Sequence, residues 1–279
     1  MIPREIKAKI EKVLPKPLVF LYKCARRPED AASLVTFLFK GGLRASFFQR
    51  LFIIKKLYAI YGNVECPHTH DEILSFMEAI LSIPPETEGC IVEAGSYKGG
   101  STAKFSIAAG IAHRRLVAFD SFEGIPQHNE PRARTIFGDE TSFPPGTYCG
   151  TLHEVKGNVA RFGNIRVCEF VQGWFADTMP SFRPAEGGVT AIYLDVDLAS
   201  STRTCLKYLY PLLVPGGTLY SHDGHLPLVI DVFKDDRFWR EEVGCPRPRV
   251  YGLGKRKFVR IVKPVRPTDD QAATGRVDS

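Results

Sequence analysis

The sequence lacks any uninterrupted apolar run of the roughly 18–20 residues that a membrane-spanning helix needs. Its amino terminus also lacks the continuous apolar stretch of a secretory leader. Cysteine is sparse and unpaired. Seven are scattered at positions 24, 66, 90, 149, 168, 205 and 245, with no C-x-x-C among them. An odd, scattered set argues against a disulfide framework and for a reduced, cytoplasmic chain. The cluster Cys66-Pro67-His68-Thr69-His70 has no second ligand pair at zinc spacing, so it reads as a polar loop. Neither G-x-G-x-x-G nor G-x-x-x-x-G-K-[ST] occurs, which removes two common phosphate-cradling fingerprints. There is no internal repeat.

What the 279 residues do contain is ample apolar material, 44% of the chain, enough for one large domain or a domain with an appendage. Charge is unevenly placed. Residues 1–60 hold 13 Lys and Arg against 4 Asp and Glu, whereas the rest hold 24 against 27. The net charge of +6 therefore comes from the first fifth of the chain. There, apolar spacings such as Leu34, Phe37, Leu38 and Phe47, Phe48, Leu51 predict helix faces, broken at Gly41-Gly42. These helices either cover the main domain or lie on an anionic membrane surface, giving a membrane-peripheral protein. Nucleic acid is not expected as a partner, since no recognisable module accompanies the basic stretch.

From residue 71 the pattern alternates. "DEILSFMEAILSI" predicts an amphipathic helix with acids in its first turn. Short apolar strands follow at 90–95, 115–120, 164–173, 189–197 and 216–223, with helices after the first, fourth and fifth. Residues 247–263 read as a hairpin. Near-continuous apolar strands alternating with helices predict an α/β fold: a Rossmann-like, doubly wound, mostly parallel sheet with an antiparallel C-terminal edge. The expected organisation is a basic helical extension over 1–70, the α/β domain over 71–264 and a polar, disordered tail over 265–279. Pro126 to Gly150 is long and rich in Pro, Gly and charge, as lids often are.

Two features carry chemistry. In "IVEAGSYKGGST" a strand ends at Glu93, and Gly95, Gly99 and Gly100 surround the turn into a helix, where backbone N–H groups can meet a ligand. In "LVAFDSFEGIP" the next strand ends at Asp120, which either binds ribose hydroxyls or caps the following segment. Further on, "AIYLDVDLASST" and "GGTLYSHDGH" place Asp195, Asp197, His222 and Asp223 at the ends of two more strands. Continued strand alternation would put Asp195 and Asp197 on one side.

The ordered segments "DSFEGIP", "GTLHEVKGNVARFG", "GWFADTMP", "LDVDLASST" and "LVPGGTLYSHD" resemble the macrocin O-methyltransferase family, the TylF-like class I methyltransferases, over about residues 70–240. The resemblance implies an S-adenosylmethionine-dependent O-methyltransferase that uses a divalent metal, magnesium or manganese, on a hydroxyl of a sugar or other small-molecule acceptor. It implies that Glu93, Gly95 and Ser101 line the methionine end of the cofactor. Asp120 and Ser121 would hold its ribose, and Gly173, Trp174 and Phe175 its adenine, with Asp177 near. Asp195 and Asp223 would bind the metal, and Asp197 would be the base. It also makes a homo-oligomer plausible.

The chain departs from the family at two places. His222-Asp223-Gly224 stands where two adjacent acids and a tyrosine are usual, and Ala199-Ser200 where a tyrosine and an acid are usual. Three readings of His222 stand open: a ligand for a softer metal, an acid/base group, or no metal at all with Asp223 structural. The alternative to an enzyme is a nucleoside-binding scaffold whose basic N-terminus docks on a membrane. Lys98, His128, His153, His225 and the Asp235-Asp236 pair read as surface or loop residues, and Arg132 and Arg134 as ordinary loop arginines.

Overall fold

The computed structural model describes residues 28–185 and 187–265; the predicted tail and the first 27 residues of the basic extension lie outside them. Three helices lead: α1 (Pro28–Phe39), α2 (Phe47–Tyr61) and α3 (His70–Ser82). The break at Gly41-Gly42 falls where the sequence puts it, and Gly42 takes φ +78°. The turn is tied by Arg50, whose guanidinium donates to the carbonyls of Phe37, Leu38, Lys40, Leu43 and Ala45. These include carbonyls at the end of α1 that have no partner within the helix. Both α2 and α3 begin with capping boxes, Ser46 with Gln49 and Thr69 with Glu72.

The remaining elements are β1 (Cys90–Ala94), α4 (Gly100–Ile111), β2 (Leu116–Asp120), a small antiparallel pair β3 (Ala133–Arg134) and β4 (Glu140–Thr141), and α5 (Leu152–Phe162). Then come β5 (Cys168–Gln172), α6 (Phe175–Thr178), β6 (Val189–Leu194), α7 (Ala199–Leu209), β7 (Leu213–Ser221), α8 (Pro227–Lys234), α9 (Asp236–Phe238) and β8 (Val259–Val262). The main sheet runs β5-β2-β1-β6-β7-β8, parallel except for the antiparallel β7/β8 edge. The expected doubly wound architecture is therefore present. One detail differs: the first arm of the 247–263 hairpin is a single bridge, Tyr251 to Arg260, not a strand. Pro246 and Pro248, which have no N–H to give a ladder, explain why.

β1 and β6 are buried along their whole length because both sheet faces are covered. On one face α1 to α5 pack with Phe37, Leu57, Phe76 and Phe105. On the other, α7 and α8 bring Leu206, Val229 and Phe233, and the helical turn after α9 brings Trp239. Helices 28–61 therefore share the main core. Their outer side nevertheless leaves Phe39, Phe48 and Phe52 exposed, at 74%, 79% and 48%. Among the described residues no helix is long and apolar enough to cross a membrane.

The strand order reverses between β1 and β6, and the carboxyl ends of those strands form the crevice where such sheets bind ligands. Their close approach depends on Gly95, at φ +89°: a Cβ there would stand 2.0 Å from the Asp195 carbonyl oxygen. Gly95→Ala is expected to cost about 2 kcal/mol or more, from left-handed strain plus that collision. Urea unfolding followed by fluorescence measures it.

Candidate active site

A cavity of about 430 Å³ opens at this crevice, within the usual size range for small-molecule sites. Gly95, Gly100 and Ser101 form one wall. No side chain caps the start of α4, since its N-cap is Gly99 at φ +80°, so the helix presents backbone N–H groups and its positive dipole end. Asp120 sits opposite. Its Oδ2 accepts from Ser96 N at 2.6 Å and its Oδ1 from Phe122 N at 2.7 Å. Asp120 thus fastens the glycine turn to the end of β2 while still lining the cavity. Ser121 lines it too, accepting from Glu123 N and donating to the Gly124 carbonyl. Gly173, Trp174 and Phe175 complete this end, with Gly173 at φ +141°.

Other residues fall elsewhere. Glu93 is not on the wall; it is fully enclosed beside Ser101 and Thr102, and burial lifts its carboxyl to about 8, which favours the neutral acid. Asp177 is exposed. Lys98 turns to Glu65, at 2.7 Å on the surface. Asp235 caps α9 and pairs with Arg203.

The far end of the cavity holds the acids. Strand β6 stops at Leu194, so the parity argument for Asp195 and Asp197 does not apply; Asp197 instead has a left-handed φ of +59°. That sharp turn is held by Asp223, fully buried, whose Oδ2 accepts from Val196 N at 3.0 Å and Asp197 N at 3.2 Å. The result still brings the three carboxylates together: one oxygen of each lies within 4.8 Å of the others. Crowding shows in their acidities. Burial and the Asp195 charge raise Asp223 to about 6, and burial with Asp223 and Asp195 holds Asp197 well above the ordinary carboxylate range.

Asp195 behaves oppositely. Burial alone would raise it, but imidazoles on both sides outweigh that and hold it well below the usual range. His222 Nδ1 is 3.1 Å from its Oδ1 and His68 Nε2 is 2.7 Å from its Oδ2. His68 corrects the polar-loop reading of residues 66–70, because His68 and His70 are both buried, at 3% and 5%. Burial opposes charge on His68, yet Asp195 lifts it to about 10. Behind it Cys66 Sγ sits 3.1 Å from His68 Nδ1 and 3.0 Å from the buried Lys104 Nζ. Those cations overcome burial and bring the thiol down to about 6. Glu72, from the α3 capping box, lies 3.3 Å from His222 Nε2. The readable clue to this corner was that capping box, Thr69-x-x-Glu72, which starts a helix directly after His68.

The segment from Pro126 to Gly150, expected as a lid, packs against the cavity. Phe143 and Tyr148 line the cavity, and Glu130 accepts from Ala199 N at 2.9 Å and Ser200 N at 2.8 Å at the start of α7. Glu130 thus takes up the first free amides of α7 at Ala199 and Ser200. His128 braces the same segment through the Phe143 carbonyl and Glu130 N. Arg134 pairs with Glu140 at the surface. His225, expected in a polar loop, is on the cavity wall, and burial with Lys257 lowers it to about 4.

The sequence profile described as macrocin-O-methyltransferase (TylF) matches residues 71–241. The chain belongs to this family. Two relatives agree. A tetracenomycin-C rhamnosyl 4'-O-methyltransferase of Streptomyces olivaceus is 32% identical over 176 residues, covering 60% of this chain and 64% of that protein. Mycinamicin III 3''-O-methyltransferase of Micromonospora griseorubida is 28% identical over 150 residues, covering 50% and 56%. The matched part thus spans less than two thirds of either relative. Among solved structures, the O-methyltransferase NovP superposes with TM-score 0.58 at 19% identity, over 77% of this chain and 99% of NovP. The calicheamicin methyltransferase CalS11 gives 0.50 at 19%, over 76% and 92%. At these identities the superpositions establish the fold.

For this TylF-family chain, the divalent cation that the family implies can be tested against the donors present. Three crowded carboxylates, two of them made less acidic by burial and by the charge of Asp195, are hard oxygen donors that a small divalent cation would relieve, so Asp195 and Asp223, with Asp197 beside them, fit one.

Proposed function

We propose that this protein is an S-adenosylmethionine-dependent O-methyltransferase acting on a hydroxyl of a sugar or sugar-bearing metabolite. The observation that carries the proposal is one continuous cavity whose walls include the glycine turn and Asp120 at one end and Asp195, Asp197 and Asp223 at the other. Methyl transfer is an in-line displacement, so the protein must align the acceptor oxygen with the methyl carbon and remove its proton. The uncapped start of α4 and Gly95 receive the methionine end, Asp120 the ribose, and Trp174 with Phe175 the adenine. Asp197, less acidic than an ordinary carboxylate, takes the hydroxyl proton. A cation held by Asp195 and Asp223 would lower the acidity barrier of a bound hydroxyl, leaving Asp197 to take its proton. Phe143 and Tyr148 exclude water over the reacting atoms. The name of one relative supports a rhamnosyl-type acceptor. Incubation with methyl-labelled cofactor and a panel of rhamnosylated compounds tests this directly. Label in a methyl ether is the expected result, and none across the panel would count against it.

A peripheral membrane contact is a second element of the proposal. It is supported by the exposed apolar face formed by Phe39, Phe47, Phe48, Leu51 and Phe52. Lys55 is exposed on the same helix, so the face would suit an anionic interface. Phe48→Ser with Phe52→Ser is expected to abolish co-sedimentation with anionic vesicles at physiological salt. Equal pelleting of variant and parent would rule out this face as the contact.

A further inference from the structure

The family departure at His222 acquires a partner in the fold. His68, from the loop before α3, and His222, at the end of β7, approach Asp195 from either side, so that each carboxylate oxygen faces one ring nitrogen. Their rings lie 4.5 Å apart, and each histidine is about 3% exposed. One ligand atom from each of the three residues lies within 4.8 Å of the other two. The nitrogen-to-oxygen contacts of 2.7 and 3.1 Å are hydrogen bonds to the two oxygens of Asp195, and their lengths also match the spacing of neighbouring ligands on one ion. Ligands at right angles about 2.1 Å from a cation stand roughly 3 Å apart.

The surroundings are those of a ligating pair. A histidine that binds a metal with one nitrogen is normally oriented through the other by an anionic or carbonyl partner. Here the Cys66 sulfur stands 3.1 Å from His68 Nδ1, and Glu72 Oε2 stands 3.3 Å from His222 Nε2. Both partners are themselves held, Cys66 by the buried Lys104 and Glu72 by the Thr69 cap.

We infer that His68, Asp195 and His222 form a mixed nitrogen–oxygen site for a first-row transition ion, distinct in its donors from the carboxylate group of Asp195, Asp197 and Asp223. Two imidazoles and one carboxylate select manganese, iron, cobalt or zinc over magnesium, which prefers oxygen throughout. An ion entering there would compete with protons for the two ring nitrogens, so its affinity should rise with pH. The site shares the cavity assigned above to methyl transfer. It rests on that reading for what the ion does there, not for its binding.

The test uses the full chain stripped with chelator and titrated with Co2+, followed by visible absorption, then competed with Zn2+ and with Mg2+. Binding of S-adenosylhomocysteine is measured in parallel. Expected is a Co2+ complex displaced by Zn2+ and not by comparable Mg2+. His68→Gln should weaken Co2+ by about 100-fold or more, while Asp197→Asn stays within about threefold. His222→Asn should repeat the loss, which guards against a folding defect in His68→Gln; thermal unfolding in chelator checks both. Equal Co2+ affinity in His68→Gln and parent overturns the assignment. So does a loss confined to Asp197→Asn, which would place the ion among the carboxylates, or displacement of Co2+ by equimolar Mg2+. Co2+ binding without S-adenosylhomocysteine binding would retain this site and remove the methyltransferase reading. The reverse pattern would do the opposite.

Discussion

Asp197→Asn is expected to lower kcat for methyl transfer by about 1,000-fold while leaving S-adenosylhomocysteine affinity within about threefold; a positioned general base commonly contributes 10²–10⁴. Three features of Asp197 support this. It lies on the cavity wall. Its left-handed backbone is held in place by Asp223, which accepts from the Val196 and Asp197 amides, so the point from which the carboxylate springs is fixed. And burial beside Asp223 and Asp195 raises its pKa above that of an ordinary carboxylate, which makes the ionised form the stronger base. The sign follows: only the ionised form accepts a proton, so kcat should rise with pH through this raised pKa and then level off. Asparagine keeps the shape and loses the ionisation. The variant's residual rate should therefore be flat over the range in which the parent climbs. Stopped-time assays from acid to neutral pH measure both. An unchanged kcat in the variant would exclude Asp197 as the base.

Asp120→Ala should weaken S-adenosylhomocysteine binding by about 100-fold, near 2.7 kcal/mol. The carboxylate has two duties. It is placed to receive ribose hydroxyls, and hydrogen bonds to a charged group are each worth about 1.5–3 kcal/mol. It also receives the amides of Ser96 and Phe122, one in the glycine turn and one in the strand-end loop. Removing it loosens the wall that meets the methionine end as well. Asp120→Asn keeps one acceptor oxygen and should lose less. Calorimetric affinities for the three proteins decide it, and equal affinity in the alanine variant would dismiss Asp120 from the ribose.

Much of this arrangement was legible in the chain because it depends on local rules. Apolar runs ending in acids marked β1, β2, β6 and β7, and Gly95 and Gly99 marked the turn, since only short periodicities and glycine's backbone freedom were needed. The C-terminal edge was legible in direction, but Pro246 and Pro248 reduced its first arm to a bridge. What could not be read was convergence across the sequence. His68 meets Asp195 over 127 positions and Glu130 reaches Ala199 over 69. No local pattern signals either contact. The strand-parity argument for Asp195 and Asp197 failed for a related reason: strand geometry ends at Leu194, and a tertiary contact from Asp223 shapes the residues beyond it.

The central claim is that the crevice between β1 and β6 is a cofactor site joined to an acid-lined acceptor site. The most direct measurement is a calorimetric titration of the purified chain with S-adenosylhomocysteine, once in chelator and once with a divalent cation present. The account predicts one-to-one binding in the micromolar range, about −8 kcal/mol, in at least one condition. No heat of binding in either condition would contradict it.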